Sequence, residues 1–251
     1  MRLLVYGLNM APEPIGVGKA TGELVAFLAG RRHAVRVVTA PPYYPGWRRG
    51  EGHDAVAWSR EDRDGATVRR APLYVPQRPT ALRRIAHLAS FAASSLPVAL
   101  IEARRHRPSV VLAVAPTLAT APGALAAARV ARARSWLHVQ DLEIDAAIAL
   151  GQLRGRAAAA ALAAERRLLA RFDRVSTIAP AMVERLAAKG VAPDRLRLLP
   201  NGVDLAAIRP LAEPSRYRAE WGIDPGATVA LYAGNLGRTQ GLEVLAGAAR
   251  R

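Results

Sequence analysis

Two glycines that follow the first apolar segment are suited to binding a phosphate group. Residues 2–8 have the apolar pattern of a buried strand, and Gly16-Val-Gly18-Lys19 comes immediately before a helical pattern. Glycine lets the backbone approach a ligand closely, and the N–H groups at a helix N-terminus favour an anion. Lys19 would add a point charge. Gly16, Gly18 and Lys19 therefore predict a diphosphate site, although the same glycines would also suit an ordinary turn.

A second group of chemically capable side chains follows the apolar residues 135–139. The segment Asp141-Leu-Glu143-Ile-Asp145 places three carboxylates just beyond the end of this predicted strand. Carboxylates in that place either position an acceptor hydroxyl or cap the helix that follows, and both interpretations remain open. His138 lies within the strand, where a histidine with satisfied hydrogen bonds is more common than a catalytic one.

A glycine-rich turn near the end of the chain has the form of a phosphate-binding loop. Residues 228–233 are apolar, and they are followed by the segment Gly234-Asn-Leu-Gly-Arg-Thr-Gln-Gly241. Strand, glycine-rich turn and helix in this order are typical of α/β proteins that bind phosphate. The turn would open a domain, yet the sequence stops ten residues later, at Arg251.

The elements that carry these residues alternate between strand and helix patterns. Such alternation predicts an α/β fold, a Rossmann-like parallel sheet with helices on both faces. Two short strands, 56–58 and 66–73, are predicted to form a hairpin through Asp64-Gly65. Residues 82–105 predict a long helix, or two helices bent near Pro97.

Composition excludes some classes of function and leaves others open. The 251 residues carry a net charge of +16, with 36 basic residues and no cysteine. The basic residues are dispersed and aromatics are few, which disfavours nucleic acid as a partner. The uncharged run 85–101 lies between arginines, so it suits either a core helix or contact with an anionic membrane. The absence of cysteine fits a cytoplasmic location.

Two cofactor classes are disfavoured by the motifs. No G-x-G-x-x-G fingerprint follows the first strand, and no acidic residue ends the second, so a nicotinamide-dependent oxidoreductase is a poor fit. Asp62-Arg-Asp64 has the D-x-D spacing of some metal-dependent transferases, but Gly65 after it indicates an exposed turn. We therefore expect no cofactor and no metal.

Taken together, the motifs resemble those of a known enzyme family. The matching segments run in order along the chain, and the resemblance extends from residue 1 to the last residue. They are 4–9, 12–13, 16–19, 37–45, 88–97, 135–143, the Pro200-Asn-Gly-Val-Asp204 segment and 232–241. The chain resembles the family 4 glycosyltransferases of the retaining GT-B type, and most closely their colanic-acid and exopolysaccharide subgroup.

The resemblance implies an activity and a domain organisation. Residues 1–204 would be the Rossmann-like acceptor domain, and 205–251 a linker and the first βα unit of an incomplete domain that binds the donor. The donor would be a nucleotide-diphosphate sugar, and the acceptor a polyprenyl-diphosphate-linked saccharide at the inner face of the plasma membrane. Transfer would retain the anomeric configuration, without a metal, in the synthesis of exopolysaccharide.

The resemblance also suggests roles for individual residues. Asp141 would lie at the acceptor hydroxyl, and Gln140 aligns better than His138 with the family's active-site histidine. Gly16 and Gly18 would approach the donor diphosphate from the acceptor domain, with Asn201 and Gly202 nearby. The phosphate side of the donor domain would be lined by Gly234, Asn235, Gly237, Gln240 and Gly241, with Arg238 supplying charge, because Asn235 and Gln240 replace the Arg and Lys of many relatives.

Length is the main departure from this family. A full donor domain needs roughly another 100–150 residues. The family's E-x7-E pair of acidic residues, which holds the donor, has no counterpart in the 251 residues. We therefore expect a fragment that is inactive alone and poorly ordered after about Asp204. The alternative is a non-catalytic acceptor-binding module derived from such an enzyme.

Overall fold

The computed structural model describes residues 1–53, 56–115, 118–206, 208–234, 236 and 240–249. They belong to two compact units, Met1–Gly202 and Val203–Arg251. Within the described residues, the first unit contains eight strands. They are β1 (Arg2–Gly7), β2 (Ala34–Thr39), β3 (Ser59–Arg63), β4 (Ala66–Arg70), β5 (Val110–Ala115), β6 (Arg134–Val139), β7 (Arg174–Thr177) and β8 (Leu196–Leu198).

Six α-helices accompany these strands in the described part of the first unit. They are α1 (Gly16–Gly30), α2 (Ala81–His106), α3 (Ala121–Ala131), α4 (Glu143–Ala149), α5 (Gly155–Leu169) and α6 (Pro180–Ala188). The second unit contains α7 (Tyr217–Glu220) and α8 (Glu243–Ala248).

The strands form one sheet in the order β3-β4-β2-β1-β5-β6-β7-β8. Every neighbouring pair is parallel except β3 and β4, which are antiparallel. The chain winds outward from β1 in both directions, so β1 and β5 flank the point where the strand order reverses. In open α/β sheets ligands bind at the carboxyl ends of the strands near this point.

Both faces of the sheet are buried. Successive residues of a strand point to opposite faces. Accordingly, Leu4 and Tyr6 of β1 belong to one apolar core, whereas Leu3 and Val5 belong to the other. Val25 of α1 packs into the second core. The predicted α/β fold with helices on both faces of a mostly parallel sheet is therefore confirmed.

The hairpin forms, but its first strand lies later than predicted. Asp64 and Gly65 have φ of 49° and 77°, as a tight two-residue turn between twisted strands requires. Its first strand is β3, not 56–58. Trp58 instead donates its indole N–H to the Ser94 carbonyl oxygen on α2, at 3.1 Å. The indole is thus held by α2, and the charged residues of β3 form the sheet edge.

Helix α2 is one continuous element that includes Pro97. Its inner face contains Phe91, Ala99 and Ala103, all buried in the first core. By length and composition alone it is long and apolar enough to cross a membrane, with a mean hydropathy of 1.4 over its most apolar window. A core helix of this kind passes the same test, and α2 packs against α3 and the sheet.

The second unit differs from the predicted strand, turn and helix. Residues 228–233 form no strand, and Leu231 is 69% exposed. A strand is stable only when neighbouring strands satisfy its N–H and C=O groups, and the described residues of this unit provide none. The helical part of the prediction is present as α8. The predicted positions Asn235, Gly237 and Arg238 lie outside the described residues.

Candidate active site

The first unit contains a cavity of about 270 Å³ at the carboxyl ends of its strands. Three loops contribute its walls: the segments that follow β1, β2 and β6. The lining residues from these loops include Asn9, Gly16 and Gly18, Tyr43, Tyr44 and Trp47, and Asp141 and Glu143. The location agrees with the general rule for open α/β sheets. Gly16, Gly18 and Asp141, three of the predicted site residues, are thus brought together.

A buried carboxylate, Glu13, organises the cavity wall. Its Oε2 accepts a hydrogen bond from Asn9 Nδ2 at 2.9 Å, and its Oε1 accepts from the backbone N–H groups of Tyr43 and Tyr44, both at 3.1 Å. Burial raises the pKa of Glu13, while these three donors and the charge of Arg70 oppose that rise. The side chain therefore ties the loop after β1 to the aromatic loop after β2.

Gly18 packs directly on Glu13. A Cβ atom at position 18 would lie 2.2 Å from Glu13 Oε2, a distance that real contacts do not reach. Gly16, by contrast, has φ of +63°, and a Cβ there would find its nearest atom, in Tyr44, at 3.7 Å. Gly16 is thus required by backbone conformation and Gly18 by close packing.

Two carboxylates, Asp141 and Glu143, line the cavity beyond the end of β6. Both are accessible to solvent, but the surrounding protein displaces much of their hydration. This loss of hydration raises the pKa of Asp141. For Glu143, the same loss and the repulsion of Asp141 raise the pKa to about 7, against the attraction of Arg84. A carboxyl group with such a pKa exchanges protons readily near neutral pH.

Asp145, the third carboxylate of this segment, does not line the cavity. It pairs with Lys189, which also pairs with Glu165 of α5. Lys189 and Glu165 are buried, with side chains 6% exposed. The ion-paired group therefore anchors α4, the helix that begins at Glu143.

His138, Gln140 and Asn201 form a hydrogen-bonded chain in which the first two residues are buried and Asn201 is exposed. Gln140 and Asn201 exchange two amide hydrogen bonds, of 2.9 and 2.8 Å. The amide of Gln140 also donates to His138 Nε2 at 2.9 Å, and His138 Nδ1 lies 2.9 Å from Ser176 Oγ, its partner in the β6–β7 register. The site residues predicted here are thus in mutual contact, and none of the three lines the cavity.

His138 is neutral at physiological pH. Burial lowers the pKa of His138 to about 4, against the smaller effect of its contact with Ser176. A second ring proton would face the N–H donor of Gln140 with no acceptor. This arrangement fixes the position of Gln140, and with it the Asn201 side chain just before the end of the first unit.

Helix α2 supplies a wall that sequence reasoning missed. Arg84, His87 and Leu88 line the cavity at i, i+3 and i+4 spacing, which places them on one helix face. The guanidinium carbon of Arg84 lies 5.4 Å from the centre of the Trp47 ring. In the sequence, this wall was indicated by the spacing of the three residues in a predicted helix. That helix follows the Pro41-Pro-Tyr-Tyr-Pro45 run, an inflexible loop rich in aromatics.

The other predicted donor-site residues are Lys19 and Gly202 of the first unit, which do not line the cavity, and residues of the second unit. Lys19 is half-exposed and forms an ion pair with Glu23, one helical turn along α1, at 3.6 Å. Gly202 is exposed, at the end of the first unit. In the second unit Gly241 has φ of +61°, just after Gln240. The assignment of these residues to a donor diphosphate stays a prediction.

No candidate metal centre is seen in the described parts of the chain, where no three His, Asp or Glu side chains are grouped to hold an ion. Asp62 of the D-x-D segment accepts a hydrogen bond from Thr67 Oγ1 at 2.8 Å. That bond lies within the β3–β4 hairpin. The segment therefore has a structural role in the hairpin.

The fold and the site define an α/β unit with a cavity at the carboxyl ends of its strands, and comparison with protein families identifies its class. Residues 16–202 match the model described as "Glycosyl transferase 4-like domain". The chain belongs to this family. The matched range contains most of the first unit and all of the cavity-lining residues except Leu8 and Asn9.

One relative indicates the subgroup of this family. Over 257 aligned residues the chain is 43% identical to the "Putative colanic acid biosynthesis glycosyl transferase WcaI" of Escherichia coli K12. That alignment covers 100% of the chain and 63% of the relative's length, so the chain spans less than two thirds of that protein. The predicted resemblance to the colanic-acid subgroup is confirmed.

Solved structures support the fold. A sucrose-phosphate synthase from Thermosynechococcus elongatus superimposes with a TM-score of 0.68 at 16% identity, covering 99% of the chain and 59% of that structure. Anabaena HepE in complex with UDP-glucose gives a TM-score of 0.51 at 16% identity, covering 88% of the chain and 50% of that structure. At this identity the likeness concerns the fold alone.

Proposed function

We propose that this chain is the acceptor-side part of a retaining glycosyltransferase that acts in exopolysaccharide synthesis. The donor would be a nucleotide-diphosphate sugar, and the acceptor a saccharide linked to a polyprenyl diphosphate. The observation that supports this most directly is the cavity at the carboxyl ends of β1, β2 and β6, most of whose lining residues belong to the matched family domain. HepE, a structural neighbour, binds UDP-glucose.

The residues of the cavity have complementary roles in this proposal. Gly16 provides an open approach for the donor diphosphate, and Gly18 lets the helix start pack against Glu13, which holds the cavity wall. Asp141 and Glu143 accept hydrogen bonds from acceptor hydroxyls, and Asp141 orients the hydroxyl that attacks the donor sugar. Gln140, held by His138 and Asn201, supports the backbone at Asp141. The reaction is proposed to need no resident metal or cofactor.

The test is a transfer assay with the parent protein that contains this chain. We expect transfer of radiolabelled sugar from a UDP- or GDP-sugar to an acceptor in extracted membrane lipid, at a rate that EDTA leaves unchanged. Asp141→Asn should slow transfer while leaving the affinity for the nucleotide sugar unchanged, because its role concerns the acceptor. The parent protein should be assayed beside the 251-residue chain.

Two results would contradict the proposal. Absence of transfer with every nucleotide sugar, combined with saccharide binding, would favour a non-catalytic acceptor-binding module. Transfer that Asp141→Asn leaves unchanged would remove the carboxylate from the acceptor site.

We further infer that the outer face of α2 rests on the inner surface of the plasma membrane, which makes the protein a peripheral one with a cytoplasmic location. This face has exposed, uncharged residues at helical spacing, among them Leu82, 79% exposed, Ile85, 62% exposed, and Leu96. Arg83, Arg104 and Arg105 lie near its two ends. Each basic residue near anionic lipid contributes roughly 1 kcal/mol to binding. Apolar side chains between basic ends are suited to the interface of such a membrane.

Vesicle flotation tests this surface. Ile85→Glu should weaken binding to vesicles that contain phosphatidylglycerol by roughly tenfold, since it removes apolar contact and adds a repulsive charge. The control, Phe27→Glu, makes the same charge change at an apolar residue of α1 that is 58% exposed. Equal binding by both variants, or no binding by the unmodified chain, would contradict membrane contact through α2.

A further inference from the structure

His87 of α2 is a cavity residue with a ring nitrogen that has no hydrogen-bond partner. Its side chain is 1% exposed, and its ring lies edge-on to Tyr43 and tilted against Trp47, with ring centres 4.7 and 5.3 Å away. All three residues line the cavity. Among the described residues, His87 Nε2 is the buried side-chain nitrogen or oxygen atom that has no hydrogen-bond partner.

The protonation state of His87 follows from its other nitrogen. Nδ1 lies 2.7 Å from the Tyr74 carbonyl oxygen, and because a carbonyl only accepts, Nδ1 must carry the proton. Burial lowers the pKa of His87, which keeps the ring neutral at physiological pH. Nε2 therefore presents a bare lone pair. A buried acceptor without a donor costs about 1–3 kcal/mol, so a bound group that supplies the donor would be favoured.

The neighbours of His87 define what that group can be. A lone pair attracts a hydroxyl or amide N–H and repels the oxygens of a phosphate. Asp141, and Glu143 when it is ionised, line the same cavity and are also acceptors, and Tyr43, Tyr44 and Trp47 offer aromatic surface. Several hydrogen-bond acceptors beside aromatic rings suit the hydroxyls and the apolar face of a neutral sugar.

We propose that His87 selects the acceptor sugar by accepting, at Nε2, a hydrogen bond from one of its hydroxyls. This proposal rests on the proposed function and deepens it, because it names a specificity residue and a neutral, hydroxyl-bearing ligand for the cavity. Nε2 is fully covered, so a side chain must move before the sugar reaches it.

Trp47 is the side chain best placed to move. It is half-buried, and its ring lies 5.3 Å from the ring centre of His87 and 5.4 Å from the guanidinium carbon of Arg84. Its φ of +49° is unusual for a bulky residue, and such conformations cost about 1–3 kcal/mol. The sugar displaces the indole from the His87 ring, and the indole becomes part of the wall that contacts the sugar ring.

The test is ¹⁹F NMR of the 251-residue chain labelled with 5-fluorotryptophan. The chain has four tryptophans, and Trp47→Phe identifies the resonance of Trp47. The probes are methyl glycosides of glucose, galactose, mannose and fucose, with monodeoxy derivatives of the one that binds most tightly. We expect one glycoside to shift the Trp47 signal, and one monodeoxy derivative to bind about 3- to 10-fold more weakly, the value of one hydrogen bond.

Two variants separate Nε2 from the rest of the ring. His87→Asn retains a donor for the Tyr74 carbonyl and deletes the acceptor at Nε2, whereas His87→Gln retains an acceptor near Nε2. His87→Asn should weaken binding by the same 3- to 10-fold and should no longer distinguish the critical deoxy sugar from its parent. His87→Gln should restore part of that distinction. The deoxy series on the unmodified chain provides a test even where a variant fails to fold.

The proposal is overturned if no glycoside shifts the Trp47 signal, or if His87→Asn discriminates among the deoxy sugars as the unmodified chain does. These outcomes are independent of the transfer assay. Transfer with no effect of His87 would reject only this subsite, and binding through His87 without transfer would reject only the enzymatic function.

Discussion

Gly18→Ala is expected to destabilise the first unit by about 3 kcal/mol, because position 18 has no room for a methyl group. The added Cβ would lie 2.2 Å from Glu13 Oε2 and 2.5 Å from Glu13 Cβ. Glu13 cannot move away cheaply, since it holds Asn9 and the backbone of Tyr43 and Tyr44. Thermal unfolding should show a Tm lower by about 6–12 °C. The altered loop should also change the cavity wall.

Gly30→Ala is the matched control in the same helix. Gly30 ends α1, and a Cβ there would meet nothing within 4 Å. Alanine stabilises a helix by up to about 1 kcal/mol relative to glycine. This variant should therefore be as stable as the unmodified chain or slightly more stable. A Gly18→Ala protein with an unchanged Tm would show that Glu13 and the loop after β1 can shift to accommodate the methyl group without a loss of stability. The role assigned to close packing at Gly18 would then be wrong.

Lys189→Ala is expected to destabilise the first unit by about 3–5 kcal/mol. The change removes the cation between Asp145 and Glu165 and leaves the Glu165 carboxylate buried without a counter-charge. Urea unfolding followed by circular dichroism measures the loss. Because Asp145 lies two residues from Glu143, the same change should loosen the segment that carries both cavity carboxylates.

Two comparisons identify the cause of that loss. Lys19→Ala breaks a surface pair whose side chains are 49% and 42% exposed, and it should cost less than about 0.5 kcal/mol. The double variant Lys189→Met with Glu165→Leu removes both buried charges and should recover most of the stability, since apolar residues replace buried pairs well. If Lys189→Ala lowered the free energy of unfolding no more than Lys19→Ala does, the buried pair would not contribute to stability.

Some features of the site could be read from sequence because they depend on local chain properties. Gly16 and Gly18 stand out between an apolar segment and a helical pattern, and Asp141 follows the apolar residues 135–139. A parallel sheet brings the ends of such segments to one edge. The meeting of these residues at one cavity therefore follows from their order alone.

Other features depend on contacts between distant parts of the chain. Glu13 has partners 30 and 31 positions away, and Lys189 pairs with Glu165 24 positions away and with Asp145 44 positions away. No local pattern marks these pairs, because strand register and helix packing create them. Asp145, read from sequence as one of several site carboxylates, is for this reason an anchor of α4.

The strand expected at 228–233 illustrates the same difference between local sequence properties and contacts with distant residues. Its apolar composition favours an extended chain, but a strand needs neighbours for its hydrogen bonds, and composition cannot supply them. Trp58 departs from the expected strand 56–58 for a related reason, since its indole bonds to α2.

The sequence by itself determined the family, the α/β class and the order of the loops that meet at the cavity, because apolar periodicity and turn residues act locally along the chain. Only the tertiary structure decided the finer properties of the site. It brought Arg84 and His87 to the cavity wall, left Nε2 of His87 without a donor, and raised the pKa of Glu143 to about 7. These properties arise from burial and from distances between groups far apart in sequence, and packing alone sets those distances.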